Sequence, residues 1–453
     1  MFNAHAYTCV HNIYMCAWVH VIMIDKEIIC IPFKSEFLIQ PELLFADEKI
    51  GRVHVDMQQV SLIAGVRMSA HDIEFAIDGD HSITGLSHPY ESLPSSFSSL
   101  AVKIRQGGRL APPFVEIKAS PAKLLQGHNV CGPTCFRTCS MEMMGSFIEG
   151  MPDLADMLNI SVAWLSTFDD TFSARMKNNV FVDTVLKAPR TVESGQTKYS
   201  RSGRVYESTN YWNEKSTHRS LKEYLKWLEV EKEIAELCAK VKKNPHDKVS
   251  HKRLDVLQNP KLIDWTTGLM RFEASIKSRY MRDLVLTHND VDYQFPSSLL
   301  ITEIVDFQKR YERETGRNLI YDVWKASFKD IFSALEGQDM NIYDDEDVMQ
   351  RLKHKYFTIT PKGNITYSKA QRVFGLYRRF VNEGYDNVRH SLPKKTFYRQ
   401  LDLLLDIGMS KAQLQNLTGE GTTNVVPMIR FVDVDFSNQY PDWYVEPVSR
   451  FVA

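Results

Sequence analysis

The chain has no surplus of charge of one sign: 55 Lys and Arg meet 56 Asp and Glu, for a formal charge of -1. An overall electrostatic grip on nucleic acid or on an anionic membrane is thereby excluded, and any such contact must come from local clusters. Cysteine is sparse as well. Seven cysteines in 453 residues, an odd number without dense spacing, exclude a disulfide scaffold and suit a reducing compartment. Long apolar runs are missing except from Tyr7 to Ile24. There His11, Asn12 and His20, with no Lys or Arg ahead of them, argue against a membrane anchor. Internal repeats, low-complexity tracts and a G-x4-G-K-[ST] phosphate loop are also absent, which excludes solenoids and a nucleotide-driven motor.

What remains is the composition of a soluble globular protein, 43% hydrophobic and 25% charged, on a chain long enough for two or three domains. Residues 1–22 read as an upstream extension, because Met23 can itself serve as a start and a strand-like run, Ile28 to Phe33, follows. Further β-rich runs fall at 114–119, 161–174, 204–212 and 268–280, and a Ser- and Pro-rich stretch from Gly85 to Ser99 reads as a loop. Leu221, Leu225, Leu228, Ile234 and Leu237 keep helical spacing and predict a helix over Ser220–Lys243. Beyond residue 285 the pattern turns helical, near 296–315, 320–335, 367–383 and 394–416, before a β-like run from Val425 to Phe436. The expected fold class is α+β, a mixed α/β part over 23–285 followed by a mainly helical part over 286–453.

The residues with chemical promise cluster in the first part. Tyr224, Lys226 and Glu229 form Y-x-K-x-x-E. A tyrosine can attack a phosphodiester, but its phenol, with a pKa near 10, needs help to lose the proton. Lys226 is a candidate for that help, as is His218. Displacement at phosphorus also calls for neutralisation of developing charge, usually by a divalent cation held by carboxylates or imidazoles. Glu116, His128 and Asp169 are the candidate ligands, with Glu207 and Glu273 as further strand-borne acids. Asp170 stands next to Asp169 on the opposite strand face, so only one of the two can be a ligand, and Asp169 is favoured. Equally, Glu273 can simply pair with Arg271 on one strand face. Cys131, Cys135 and Cys139 stand in C-x3-C-x3-C, which fits neither zinc nor iron-sulfur spacing, and they read as buried thiols. From Ser368 to Arg399 eight Lys or Arg oppose Glu383 and Asp386, with aromatic residues interleaved. The cations Lys369, Arg372, Arg378, Arg379, Lys394, Lys395 and Arg399 suit phosphate contacts and the rings suit base stacking, unless those rings pack into a core.

A series of motifs then runs in order from Met23 to the C-terminus: FAIDGDHSITGLSHPYESLPSS, VEIKASPAKLLQGHNV, DTFSAR, SGQTK, THRSLKEYLK, MRFEASIKSRY, MNIYDD, FTITPKG, LYRRFVNEGYD, NVVP and VDFSNQYPDWYVEP. Together they closely resemble the gene II replication proteins of filamentous bacteriophages. The resemblance implies a rolling-circle initiator with an antiparallel sheet in its N-terminal domain. Such an enzyme nicks the plus strand of double-stranded origin DNA with Mg2+ or Mn2+, remains joined to the 5′ end through tyrosine, and later closes the displaced single strand. It places the covalent tyrosine at Tyr224 and adds Arg271, Glu273 and Lys277 as supports. It implies a separately initiated product starting at Met340, action in the bacterial host cytoplasm, self-association on the origin, and a host helicase and DNA polymerase as partners, with no nucleotide cofactor and no membrane. The chain departs from the related plasmid initiators in lacking a His-hydrophobic-His metal triad. A non-catalytic origin-binding repressor is the alternative, and a tyrosine recombinase or type I topoisomerase a third reading.

Overall fold

A computed structural model describes residues 22–39, 53–70, 72–75, 81–84, 86–107, 111–176, 197–200, 209–335, 344–359, 365–415, 417, 434–435 and 438–451. Its centre is an antiparallel sheet of eight strands: β1 Met23–Pro32, β2 Glu91–Pro94, β3 Ser99–Arg105, β4 Phe114–Ala119, β5 Trp164–Met176, β6 Thr209–Trp212, β7 Arg219–Leu225 and β8 Leu269–Lys277. The spatial order is β6-β7-β8-β5-β1-β4-β3-β2, and a short strand, β9 Val434–Asp435, pairs with β5. The expected α+β class with an antiparallel sheet is therefore what the chain adopts.

Alternation along each strand divides the sheet into two unlike faces. Leu221, Phe272, Phe172, Ile29, Ile117 and Val102 point to one face and are buried. Helices α2 Phe136–Gly150, α7 Ile301–Thr315 and α8 Leu319–Leu335 lie in the same apolar core, where Trp324 packs on Phe172 and donates its indole N–H to the Phe272 carbonyl at 3.2 Å. The opposite face carries Tyr224, Lys222, Arg271, Glu273, Thr171, Asp169, Lys26 and Lys118. A smaller apolar cluster beside it unites Val130 and Leu269 with Val230, Leu237, Leu257 and Leu262 of α3 Lys226–Lys243, α4 Lys248–Leu257 and α5 Pro260–Thr266. Two short helices follow strands directly in the chain, α1 Pro121–Gln126 after β4 and α6 Ser278–Asp283 after β8.

Several expected boundaries move. The helix predicted from Ser220 begins only at Lys226, because Arg219–Leu225 is a strand bonded to β6 on one side and β8 on the other. Leu221 and Leu225 are four apart, a spacing that satisfies strand and helix periods alike, and pairing on both edges decides it. The stretch read as a loop over 85–99 contains β2, and the helix expected over 394–416 is two helices separated by Gly408, whose φ is +97°.

The domain boundary placed near residue 285 is not a break in the core. One apolar cluster runs through α7 and α8 as far as Ile331, and a separate one spans Val348 to Leu417. The second is built by α9 Asp345–Lys355, α10 Ser368–Glu383, α11 Tyr385–Ser391, α12 Lys394–Leu405 and α13 Lys411–Gln415. After it the chain returns: Gln439 exchanges two hydrogen bonds with the backbone of Ser173, Tyr440 donates to the Gly132 carbonyl, and Ser449 donates to Glu142. Residues 340–453 thus do not stand apart from the sheet, and Met340 itself lies outside the described residues. Among the described residues no helix is long and apolar enough to cross a membrane.

Glu27, on the covered face of β1, accepts from Ser140 at 2.9 Å, yet burial pushes its pKa from 4.5 to about 8. The folded state therefore holds a proton that the unfolded chain gives up, and stability falls as pH rises from about 4.5 to about 8. Glu27→Gln is expected to raise the melting temperature at pH 8 while changing it little at pH 5, measured by thermal unfolding at both values.

Candidate active site

Tyr224 stands at the seam where β7 becomes α3, with Leu225 the last extended residue and Lys226 the first helical one. Pairing sets Tyr224 opposite Arg271 and Lys222 opposite Glu273. One strand on, Ser275 faces Asp169, which in turn faces Lys26. Of these, Tyr224, Lys222, Glu273, Asp169 and Lys26 line a cleft of about 440 Å³ together with Asp25, Lys123, Asn129 and Glu229. The Y-x-K-x-x-E spacing thus works across a junction: the tyrosine ends a strand, while Lys226 and Glu229 share the first turn of a helix.

Cations bracket the ring. Lys222 Nζ lies 4.2 Å from its centroid and Lys226 Nζ 5.9 Å. Lys226 is fully buried and donates to Asn129 Oδ1 and Glu229 Oε2, both at 2.8 Å. Burial lowers its pKa to about 8 although Glu229 opposes the fall, so this lysine titrates close to neutrality. Arg271, fully buried too, donates to the carbonyls of Asn129 and Val130, so strand and helix hold the same loop.

The acids fall into two kinds. Burial would raise the pKa of Glu229, but Lys226 and Lys123 outweigh it and hold the carboxyl well below the usual range. For Glu273 burial prevails. The Lys222 ammonium at 3.2 Å offsets only part of it, while Asp169 and Asp25 add repulsion and the pKa is raised. Lys222 shows the counterpart: burial would lower its pKa, but Glu273 and Glu229 raise it. The Tyr224 phenol is only 4% exposed, and burial, then Glu229 and Glu273, lift its pKa well above 10.0 against the pull of Arg271. Tyr224 at rest is therefore a neutral phenol, and ionisation requires the negative charge around it to be compensated.

Other expected site residues lie elsewhere. His218 is six residues from Tyr224, roughly 20 Å along an extended chain, and its Nε2 pairs with Asp283 Oδ2 at 2.9 Å. It cannot serve as a base for Tyr224. Lys277 is at that same far end, bonded to the Ser216 carbonyl, so of R-x-E-x-x-x-K only Arg271 and Glu273 belong to the cleft or its wall. His128 is buried, and burial with Lys226, Arg271 and Lys123 lowers its pKa to about 3. A site already crowded by three cations is a poor place to bring another. Glu116 shares the open face but accepts from Arg105 at 3.1 Å and from the Tyr90 hydroxyl. It pairs with Cys30, four residues from Lys26, which places it roughly 13 Å from Asp169, too far to share an ion. Asp170 points into the covered face and is fully buried. Glu207 lies outside the described residues. Cys131 and Cys139 are buried and Cys135 half-buried, all as free thiols.

In the helical part, Arg372, Lys394, Lys395 and Arg399 are exposed. Arg378 and Arg379 are bound to Asp345 and Glu383, and Lys369 lies over the Tyr356 ring. The rings expected to stack on bases are packed inward instead: Tyr377, Phe380, Tyr385 and Phe397 are buried, with Phe374 and Tyr398 half-buried against the same core.

The expected ligand set Glu116, His128 and Asp169 is thus not assembled. A different set of hard oxygen donors, Asp25, Asp169 and Glu273, shares the cleft, and Asp169 Oδ1 is buried without a hydrogen-bond partner. Among the described residues no three such groups converge into a finished cation cage, for Lys26 holds Asp169 and Lys222 holds Glu273. The donor chemistry fits a divalent cation that takes the place of those ammonium groups.

Sequence reasoning missed Asp25, Lys123, Asn129 and Lys222. Lys222 would have followed from reading Tyr224 on a strand, two residues on the same face. Nothing short of the fold brings Asp25 and Asn129 to the site. Replacing Lys226 removes the donor shared by Asn129 and the half-exposed Glu229, so Lys226→Met should destabilise the protein by about 2–3 kcal/mol, checked by urea titration.

The family of the phage replication-associated protein, the gene II product, matches in two parts, its N-terminal description over residues 23–296 and its C-terminal description over 359–450. The replication-associated protein of Salmonella phage IKe is 46% identical over 431 residues, covering 95% of this chain and 97% of the relative. Those of Enterobacteria phages fd and M13 are each 42% identical over 430 residues, covering 94% of this chain and all of the relative. A solved rolling circle replication initiator protein from Geobacillus stearothermophilus is similar with a TM-score of 0.21 and 10% identity, over 63% of this chain and 79% of the other.

Proposed function

The chain belongs to the gene II replication-associated protein family of phage rolling-circle initiators, and from that premise we propose that Tyr224 is the nucleophile that opens the plus strand of double-stranded origin DNA. The phenolic oxygen attacks the scissile phosphorus, the bond from phosphorus to the 3′ oxygen breaks, and the 5′ phosphate stays on Tyr224. The 3′ oxygen takes up a proton as the phenol gives one up, and the free 3′ hydroxyl serves a host polymerase. Attack by a 3′ hydroxyl on the tyrosyl ester reverses the step and closes the displaced strand. One phosphate ester replaces another, so no nucleotide cofactor is needed.

One observation carries this reading: Tyr224 lies in a cleft where Lys222 and Lys226 face its ring and acids stand behind them. The two ammonium groups favour the phenolate that the attack requires. Arg271, through the Asn129–Val130 carbonyls, fixes the loop that orients Lys226. Mg2+ or Mn2+ on Asp25, Asp169 and Glu273 would, when bound, neutralise charge on the scissile phosphate. The exposed Arg372, Lys394, Lys395 and Arg399 of the helical part serve as DNA phosphate contacts. Host helicase, self-association on the origin and a bacterial cytoplasmic setting complete the proposal.

Tyr224→Phe is expected to abolish covalent attachment to a cleaved origin strand, scored on denaturing gels, while duplex binding changes by less than about twofold; retained attachment excludes Tyr224. Chelation of divalent cations by EDTA should likewise stop attachment, with recovery on adding Mg2+ or Mn2+, and full activity in EDTA excludes the cation.

A further inference from the structure

A larger cleft than the one at Tyr224 lies elsewhere in the same domain. About 810 Å³ in volume, it opens at the far end of β7, around the turn from β6 to β7 and the start of α6. Lys198, Lys215, Arg219 and Arg279 line it with His218, against Glu214 and Asp283. Asp283 is already engaged by His218 at 2.9 Å. Arg219 is tied into the fold by Tyr280 at 2.9 Å and Asp330 at 3.2 Å. Lys198 and Lys215 have no ion pair among the described residues and are exposed, and Arg279 reaches Asp283 only at 4.0 Å with 74% of its side chain in solvent. Three long cations from three separate segments thus surround a hollow with little acid to neutralise them.

The hollow is also held in shape. Asn213, in the left-handed region at φ +53°, exchanges hydrogen bonds with the backbone of Lys198 at 2.9 and 3.0 Å. His218 N–H donates to Ser216 Oγ at 3.0 Å, Lys277 N–H donates to the His218 carbonyl at 3.2 Å, and the Lys277 ammonium holds the Ser216 carbonyl. Among the described residues the tyrosine at the rim, Tyr199, is half-buried edge-on against Trp212, with centroids 6.0 Å apart. Exposed cations on a held backbone, without a free ring beside them, suit a phosphate backbone and not unstacked bases.

We propose that this cleft is a second DNA contact, an anchor for the sugar-phosphate backbone of duplex origin DNA flanking the nick. It rests on the reading of Tyr224 as the nicking residue and deepens it. The cleft lies roughly 20 Å from Tyr224 along β7, a span of about six phosphates on one strand of a duplex. Duplex gripped there is held within reach of Tyr224 without any base being read, so the anchor supplies affinity.

The test uses the full chain with Lys198→Ala, Lys215→Ala and Arg279→Ala combined, none of which contributes to the Tyr224 cleft. Binding to a duplex fragment of the replicative-form origin is measured over a salt series, alongside covalent attachment to a single-stranded oligonucleotide spanning the nick. Loss of three phosphate contacts should weaken duplex binding by about tenfold and reduce the slope of log affinity against log salt by about 2–3. Attachment to the single-stranded oligonucleotide should be unchanged, which also shows that the variant is folded. Unchanged duplex affinity and slope would overturn the anchor, as would an equal loss on both substrates. Should the unsubstituted protein attach neither to the oligonucleotide nor to the cleaved strand of the duplex origin, the nicking reading fails, while the salt slope still decides whether the cleft binds duplex.

Discussion

The Lys226 ammonium, buried and held between Asn129 Oδ1 and Glu229 Oε2, is the contact on which the rest of the Tyr224 site depends. A lysine in that position is tolerable only because Glu229 supplies opposite charge and Asn129 an oriented oxygen. Asn129 in turn is placed by two restraints, its amide on Asp25 at 2.8 Å and its carbonyl on Arg271. Four segments far apart in sequence are thereby locked around one phenol. The balance is poised, since Tyr224 and Glu273 are pushed toward their neutral forms and Glu229 toward its charged form. A phosphate or a cation entering such a cleft changes the charge on its neighbours, as a site for phosphoryl transfer requires.

The sheet makes this possible by keeping its two faces apart in character. Helices and aromatic rings cover one face, so the strands are rigid, and the other face is free to carry alternating lysines and carboxylates. The returning C-terminal segment adds to that rigidity where Gln439 clasps the backbone of Ser173, the residue paired with Arg271. The end of the chain therefore braces the strand next to the nucleophile's partner.

Much of the fold was legible because its signals were local. Alternation in Phe114–Ala119 and Leu269–Lys277 marked strands, and the apolar periodicity of Leu319–Leu335 and Ser368–Glu383 marked helices. Tyr224, Lys226, Glu229, Arg271 and Glu273 were picked out from spacing and resemblance and do share one cleft or its wall. What failed was whatever depends on pairing across the sheet. Leu221 and Leu225 read as helix because their spacing serves both periods. His218 and Lys277 looked near Tyr224 and Glu273 in sequence, yet an extended strand carries them to its other end. Glu116 and His128 are ligand types by chemistry, but register sends one toward Arg105 and burial among cations disarms the other. The aromatic residues of Ser368–Arg399 followed the bland alternative, a core, since their positions recur on one helix face.

The central claim is the identity of the nucleophile, and a second tyrosine, Tyr90, borders the same cleft. Digestion of the covalent protein–DNA complex followed by mass spectrometry of the DNA-linked peptide separates the two directly. The nucleotide is expected on the peptide containing Tyr224; a nucleotide on Tyr90, or on any other residue, would contradict the account.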